Sequence, residues 1–249
     1  MPRMARKKSS TGVYHIMIRG INQQNIFDDD EDRQRFVERL AIVKKELKFD
    51  LYAYCLMSNH VHLLLKQNET DLPTIMKRIQ TSYVYFYNWK YERCGHLFQD
   101  RYKSECVEDD VYFHTVIRYI HQNPVKAGIS IIDNYKWSSY NDYIKLSGIT
   151  DTSVFLEMLG RDWQSRYIDF MNEENEDKCL EMEEKRKLTD EKAKETMKKI
   201  CKMKNIMDIQ KLEIHLRDKM LKKCKEIDGI SILQISRLTG INRGIIKKA

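Results

Sequence analysis

The sequence lacks the marks of several common protein classes. None of its six cysteines forms a C-x-x-C pair, and the chain has no internal repeat. A signal peptide and a run of about 18 apolar residues are also absent. These absences argue against a secreted disulfide scaffold and against a membrane protein. We therefore expect a cytoplasmic protein with reduced thiols and no membrane partner.

Basic residues exceed acidic residues by a small margin. Lys and Arg number 44 and Asp and Glu 37, which gives a net charge of +7. This balance suits an anionic partner such as nucleic acid, although many soluble proteins reach it without one. Cys94 and His96 in "CGH" lack a second ligand pair at a suitable distance, so we predict no zinc site.

Hydrophobic periodicity predicts an α+β domain. The predicted strands are "VYHIMIRG", "DLYAYCLM", "HVHLLLK" and "HLFQDRYKSECVE". The predicted helices are "DDDEDRQRFVERLAIVKKELK", "DLPTIMKRIQTSYVYFYNWKYERCG" and "DDVYFHTVIRYIHQNP". Their order, β-α-β-β-α-β-α, predicts an antiparallel sheet with its helices packed on one side. The last helix should stop before Pro124.

A change of composition divides the chain. From Asn172 to Lys199 the sequence is dense in both charge signs and nearly free of aromatic residues. This composition predicts a charged helical linker over residues 172–199. The α+β domain then spans residues 1–171, and residues 200–249 form a separate all-α region.

The end of the chain, "EIDGISILQISRLTGINRGIIKKA", has the pattern of a helix-turn-helix. Asn242 can cap the second of two short helices, with Ile245 and Ile246 facing inward. In DNA-binding versions of this motif the second helix enters the major groove. Basic and amide side chains on that helix favour DNA binding over a plain two-helix packing motif. These side chains are Asn242, Arg243 and Lys247.

The stretch "SNHVHLLL" places two histidines one residue apart in an apolar run. On a strand, His60 and His62 point to the same face about 7 Å apart and can lean onto one divalent ion. Spacing alone does not decide between a metal pair and two inert, hydrogen-bonded histidines. A metal would need a third ligand, and an amide or carboxylate oxygen would suit Mg²⁺ or Mn²⁺.

The predicted helix containing "VIRYIHQNPVKAG" offers such a ligand. Tyr119 and Asn123 are four residues apart and are therefore neighbours on one helical face. If Asn123 reaches the ion, Tyr119 lies near a metal-polarised phosphodiester and can attack it. The residue pattern alone favours the plainer alternative, a packed tyrosine and an asparagine that helps to end the helix.

Several stretches together resemble the HUH-type single-strand transposases, and within them the tyrosine transposases associated with repetitive extragenic palindromes (REP). They are "MPRMARKKSSTGVYHIMIRGINQQNIF", "LYAYCLMSNHVHLLLK", "GHLFQDRYKS" and "YIHQNPVKAG", in order as far as about Tyr143. The resemblance implies a ferredoxin-like domain that cleaves single-stranded hairpin DNA through a 5′-phosphotyrosine intermediate. Relatives include both homodimers and monomers.

The resemblance also implies the roles of individual residues. The "HVH" motif gives His60 and His62 as the metal pair. The stretch "RYIHQNPVKAG" gives Tyr119 as the nucleophile and Asn123 as the amide that completes the site. The implied cofactor is a divalent metal ion, Mg²⁺ or Mn²⁺. The helix-turn-helix pattern lies outside the resemblance.

Other tyrosines and histidines compete for these roles. An aromatic cluster in "TSYVYFYNW", which we expect to be mostly core, comprises Tyr83, Tyr85 and Tyr87. Three further histidines, which we expect to be satisfied side chains and not ligands, are His15, His114 and His121.

Basic residues that flank the predicted site are expected to contact DNA phosphates, which positions DNA without reading its sequence. They are Arg3, Arg6, Lys7, Arg19, Arg101, Lys103 and Lys126. An exposed aromatic residue such as Tyr102 could stack on unpaired bases.

The sequence therefore supports a metal-dependent DNA nickase and strand-transferase of the transposase type, cytoplasmic and associated with the nucleoid. A second hypothesis is a domesticated, non-cleaving DNA-binding protein that uses its C-terminal region as a regulator. A plasmid relaxase or replication initiator shares the chemistry, but the compact size and the absence of a helicase-like region argue against it.

Overall fold

The computed structural model describes residues 6–180, 188–227 and 229–249. They belong to two compact units, which divide between residues 181 and 182. None of the described helices is both long enough and apolar enough to cross a lipid bilayer.

The first unit contains a sheet of four antiparallel strands in the order β2-β3-β1-β4. The strands are β1 (Val13–Arg19), β2 (Asp50–Leu56), β3 (His60–Lys66) and β4 (Lys103–Cys106). Helix α1 (Asp30–Leu47) joins β1 to β2, and helix α2 (Leu72–Lys90) joins β3 to β4. This is the split β-α-β pattern of a ferredoxin-like domain. The predicted α+β class, the antiparallel sheet and the order of its elements are confirmed.

Helices cover both faces of this sheet. Helices α1 and α2 pack against one face, where β3 contributes Val61 and Leu63. Helix α3 (Asp110–Lys126) packs against the other face, where β3 contributes Leu64 and β2 contributes Cys55. The prediction that the helices pack on one side is therefore wrong. The three long strands are buried along nearly their whole length, so neither face of the sheet can be left in water.

Helix α3 continues through Pro124 and ends at Lys126, so the prediction that it stops before the proline is wrong. Proline lacks an N–H, which removes one intrahelical hydrogen bond. The last turn is still closed, because the amide of Ala127 donates to the carbonyl of Asn123 at 3.0 Å. Asn123 consequently stays in the helix, one turn after Tyr119.

Three short helices follow α3 and pack on the same core: α4 (Tyr140–Lys145), α5 (Ser153–Leu159) and α6 (Trp163–Asn172). The end of α6 and the chain after it contact α3. Asp177 accepts two hydrogen bonds from the Arg118 guanidinium, at 2.8 and 3.1 Å. Gln122 donates from Nε2 to the carbonyl of Met171 at 2.7 Å. These contacts hold in place the helix that carries Tyr119.

The second unit contains α7 (Asp190–Cys201), α8 (Ile214–Lys225), α9 (Ile232–Thr239) and α10 (Arg243–Lys248) around its own apolar core. Helix α7 begins inside the segment predicted as a linker, and its Met197 is fully buried in this core. The last part of that segment is thus a packed helix. The predicted domain boundaries stay a prediction, and residues 181–187 lie outside the described residues.

Helices α9 and α10 are the two short helices predicted at the end of the chain. Gly240 ends α9 with a positive φ of 72°. Asn242 accepts a hydrogen bond through Oδ1 from the amide of Gly244 at 2.7 Å and so caps α10. Ile246 is buried, but Ile245 is 37% exposed, so the prediction that both face inward is wrong for Ile245. DNA binding by this pair of helices stays a prediction.

Candidate active site

Three histidines from two neighbouring strands meet on the face of the sheet that α3 covers. In the pairing of β1 with β3, His62 lies opposite Met17 and His60 opposite Arg19. His15 is two residues before Met17 and therefore lies diagonally across from His62 on the same face. The ring centroids of His60 and His62 are 5.1 Å apart, and those of His15 and His62 are 5.2 Å apart.

Tyr119 of α3 completes this cluster. Its ring meets the ring of His62 edge-on, with centroids 5.6 Å apart, and that of His15 at 5.7 Å. Tyr119 is only 3% exposed, and the ammonium nitrogen of Lys126 lies 5.2 Å from its ring centre. One turn further on, Asn123 donates from Nδ2 to the carbonyl of Tyr119 at 3.1 Å. The structure thus brings the predicted nucleophile to His62 and puts Asn123 on the next turn.

Hydrogen bonds orient both histidines of β3. Nδ1 of His60 lies 2.6 Å from Oδ1 of Asn59. A carbonyl oxygen can only accept, so His60 donates from Nδ1, and a neutral His60 ring then has its lone pair on Nε2. Nδ1 of His62 lies 3.0 Å from Nε2 of His15. Histidines that ligate metals commonly engage their second nitrogen in this way.

Burial keeps two of the imidazoles neutral. Desolvation lowers the pKa of His62 well below its ordinary value, and the nearby His15 and His60 lower it further. Burial alone lowers the pKa of His15 to about 3. The neutral imidazole is the form that binds a metal ion, so His62 needs to release no proton at neutral pH.

These features fit a divalent ion held by two imidazoles and an amide. The described part of the chain contains no group of three or more His, Cys, Asp and Glu that could hold a metal ion. A third protein ligand would therefore have to be of another type. Asn123 offers its amide oxygen, since its Nδ2 is the atom that donates to the helix carbonyl. Oxygen ligands suit Mg²⁺ and Mn²⁺.

Comparison with known proteins shows which family this part of the chain resembles. Residues 8–123 match the family model described as IS200-like transposase. The family resemblance is confirmed. The matched segment contains His15, His60, His62 and Tyr119, and it ends at Asn123.

Two individual proteins are also similar to this chain. A Haemophilus influenzae protein, provisionally named a REP-associated tyrosine transposase, is 27% identical over 110 residues. That alignment covers 39% of this chain and 62% of the relative, which is less than two thirds of its length. A solved REP-associated tyrosine transposase bound to a REP hairpin has a TM-score of 0.51 and 16% identity. The match covers 61% of this chain and 96% of the solved chain, and it supports the fold.

The rival tyrosines lie on α2, on the opposite face of the sheet from the histidines. Tyr83 is fully buried and donates to the carbonyl of Ile26, and Tyr87 is buried and donates to Asp28. The expectation that most of this cluster is core is confirmed. Tyr85 is the exception, because it is 79% exposed.

Two of the remaining histidines, His121 and His15, differ in how their ring nitrogens are engaged. His121 is fully buried with both nitrogens engaged, by Ser139 at 2.8 Å and by Tyr167 at 3.2 Å, so the expectation of a satisfied side chain is confirmed. The same expectation is wrong for His15, whose Nδ1 is buried without a hydrogen-bond partner in the described ranges. Sequence reasoning missed His15 because its contact depends on β1 pairing with β3, which no local pattern reveals.

Some predicted DNA contacts gather at the edge strand β4. A cavity of about 460 Å³ there is lined by Arg6, Arg101, Tyr102 and Lys103. The Arg6 guanidinium lies 3.8 Å from the ring centre of Tyr102. Tyr102 is only 7% exposed, so the expectation of an exposed aromatic that stacks on bases is wrong.

The other predicted DNA contacts are dispersed. Arg19 lies opposite His60 in the sheet, and Lys126 lies over Tyr119, so both border the histidine cluster. Lys7 is exposed, and Arg3 lies outside the described residues. In the second unit three predicted contacts are exposed at α10: Asn242, Arg243 and Lys247.

Proposed function

We propose that the chain is a metal-dependent DNA nickase and strand-transferase of the transposase type, acting on single-stranded hairpin DNA. The observation that carries this proposal is the contact of the Tyr119 ring with His62 and His15, beside His60. The cluster lies inside the segment that matches the IS200-like transposases. A hairpin substrate is supported by the solved REP-associated tyrosine transposase, which is bound to a REP hairpin.

In this proposal Tyr119 is the nucleophile. Its hydroxyl oxygen attacks the scissile phosphorus, and the bond from phosphorus to the 3′ oxygen breaks as the new ester forms. The leaving 3′ oxygen takes up a proton, while the phenol loses one. The products are a 5′-phosphotyrosine and a free 3′-hydroxyl. Attack by a 3′-hydroxyl on the phosphotyrosine reverses these changes and joins strands without any high-energy cofactor.

The surrounding residues prepare this attack. A divalent ion bound by His60, His62 and Asn123 would polarise the phosphate and offset its negative charge. Lys126 holds a positive charge near the Tyr119 ring, which favours the developing phenolate. The bonds from Arg118 to Asp177 fix α3, and so keep the phenol aimed at the histidine cluster.

The direct test is a covalent-adduct assay. The full chain is incubated with Mn²⁺ and a panel of single-stranded hairpins with unpaired flanks, each labelled at its 3′ end. The 5′-phosphotyrosine would retain the 3′-side fragment, so we expect a labelled band of protein size on a denaturing gel, sensitive to protease. Hairpin binding on a native gel with no adduct at any Mn²⁺ concentration would instead support the non-cleaving regulator.

A second candidate function is duplex DNA binding by the second unit. It is favoured by α10, which exposes Arg243 and Lys247 beside the Asn242 cap. Each phosphate contact contributes to the salt dependence of binding. We expect Arg243→Ala with Lys247→Ala to weaken duplex binding and to lower the slope of log affinity against log salt by about 2.

The charge-matched control for this variant lies on α7. Lys192→Ala with Lys194→Ala removes the same charge from exposed positions of another helix. Filter binding across a salt series should leave its slope close to that of the unaltered protein. Equal slopes for both double variants would show that α10 does not contact DNA.

A further inference from the structure

His15 makes two contacts with the candidate site and none with solvent. It is 0% exposed on β1. Its Nε2 lies 3.0 Å from Nδ1 of His62, and its ring lies edge-on to Tyr119 with centroids 5.7 Å apart. One side chain therefore touches both a predicted metal ligand and the predicted nucleophile.

The contact between the two histidines can have either direction. A neutral imidazole carries one proton, so one ring donates and the other accepts. If His62 donates from Nδ1, its Nε2 keeps a lone pair and can bind a metal ion. If His15 donates, the proton of His62 must be on Nε2, and His62 cannot be a ligand through that atom. Only the first direction is compatible with a metal site.

The neighbouring histidine shows the same arrangement with an unambiguous direction. Oδ1 of Asn59 accepts from Nδ1 of His60, which in a neutral ring leaves the lone pair on Nε2. His15 contacts Nδ1 of His62 in the same way that Asn59 contacts Nδ1 of His60. Both partners engage Nδ1, so both imidazoles would offer the same ring atom to one ion.

A packing role alone does not account for an imidazole at position 15. Its Nδ1 is buried and has no hydrogen-bond partner among the residues that the structure describes. His121, which is equally buried, uses both of its nitrogens. An aliphatic side chain would fill the space at position 15 without burying an unpaired polar atom, so the polar contact with His62 is the distinguishing property of His15.

We propose that His15 is a positioning residue that accepts the Nδ1 proton of His62, so that Nε2 of His62 faces the divalent ion. The same ring supports Tyr119, which links the alignment of the ligand to that of the nucleophile. This inference rests on the proposed function, because it assigns His15 to the metal site proposed there.

The test compares three variants of the full chain by isothermal titration calorimetry with MnCl₂, which measures Mn²⁺ affinity. His15→Leu removes the acceptor and keeps an apolar side chain, and we expect Mn²⁺ affinity to fall by about 10- to 100-fold. His15→Gln offers an amide oxygen near the position of the lost nitrogen, and its affinity should stay within about threefold of the unaltered protein. His121→Leu removes an equally buried imidazole elsewhere and should leave Mn²⁺ affinity unchanged. Thermal unfolding checks that each variant is folded.

Each result of the titration bears on a different claim. A folded His15→Leu protein with unaltered Mn²⁺ affinity would overturn the role of His15 while leaving the metal site intact. Equal losses in His15→Leu and His15→Gln would also overturn it, because the hydrogen bond would then be irrelevant. Failure of the unaltered protein to bind Mn²⁺ would contradict the proposed metal site and this inference together.

A second measurement needs no variant and covers the case in which His15→Leu does not fold. Two-bond ¹H–¹⁵N correlation spectra of the full chain saturated with Mg²⁺ report which ring nitrogen of each histidine carries the proton. We expect His62 to be protonated on Nδ1, as His60 is by its contact with Asn59. Protonation of His62 on Nε2 in the Mg²⁺-saturated protein would overturn the assignment.

Discussion

Tyr119→Phe is expected to abolish the covalent protein–DNA adduct while leaving hairpin binding nearly unchanged. The substitution removes the attacking oxygen but keeps the ring, which is 3% exposed and packed edge-on against His62 and His15. Loss of a nucleophile typically lowers the rate by about 10⁴-fold or more, because no neighbouring group replaces it. The measurement is the yield of labelled adduct on a denaturing gel, with hairpin affinity determined in parallel.

The matched control is Tyr85→Phe. Tyr85 is 79% exposed on α2, the helix that covers the opposite face of the sheet, so its hydroxyl cannot reach the histidine cluster. Its loss should leave the adduct yield unchanged. An adduct that persists in Tyr119→Phe, or disappears in Tyr85→Phe, would assign the attack to another hydroxyl.

Local sequence patterns predicted the parts of the site that depend on one element each. The alternation of β3 puts His60 and His62 on one face, and the helical spacing of four puts Tyr119 one turn before Asn123. Both predictions need only the geometry of a strand or a helix. The order of strands and helices through α3 could be predicted from the sequence because the periodicity of each element indicates its type.

The parts that could not be predicted depend on how elements pack. An apolar strand does not show which helix covers which face, so the position of α3 opposite α1 and α2 was missed. Burial of Tyr102 beneath Arg6 likewise depends on the path of the N-terminal arm. His15 reaches His62 only because β1 and β3 are neighbours in the sheet, although 47 residues separate them in the chain. Pairing of strands distant in sequence is set by the whole fold.

The position of α3 explains why the site can form at all. Phenol and imidazoles come from different elements, so their separation is fixed by the packing of α3 on the sheet. That packing is reinforced from outside by Asp177, which holds Arg118 on the turn that carries Tyr119. Such support limits the movement of the phenol relative to the histidines, which is what an attack at a defined angle requires.

His60→Ala combined with His62→Ala is expected to remove metal-dependent cleavage and to leave hairpin binding largely intact. Both imidazoles face one site, and the loss of two ligands should prevent an ion from binding there. Metal polarisation of a phosphate lowers the activation free energy by several kcal/mol, so a loss of about 4 kcal/mol would slow cleavage by about 10³-fold.

The control is His96→Ala with His215→Ala. This variant lacks two exposed histidines and should cleave as the unaltered protein does. Undiminished cleavage by the first double variant, or by the unaltered protein in excess chelator, would show that cleavage does not depend on a metal ion at these histidines.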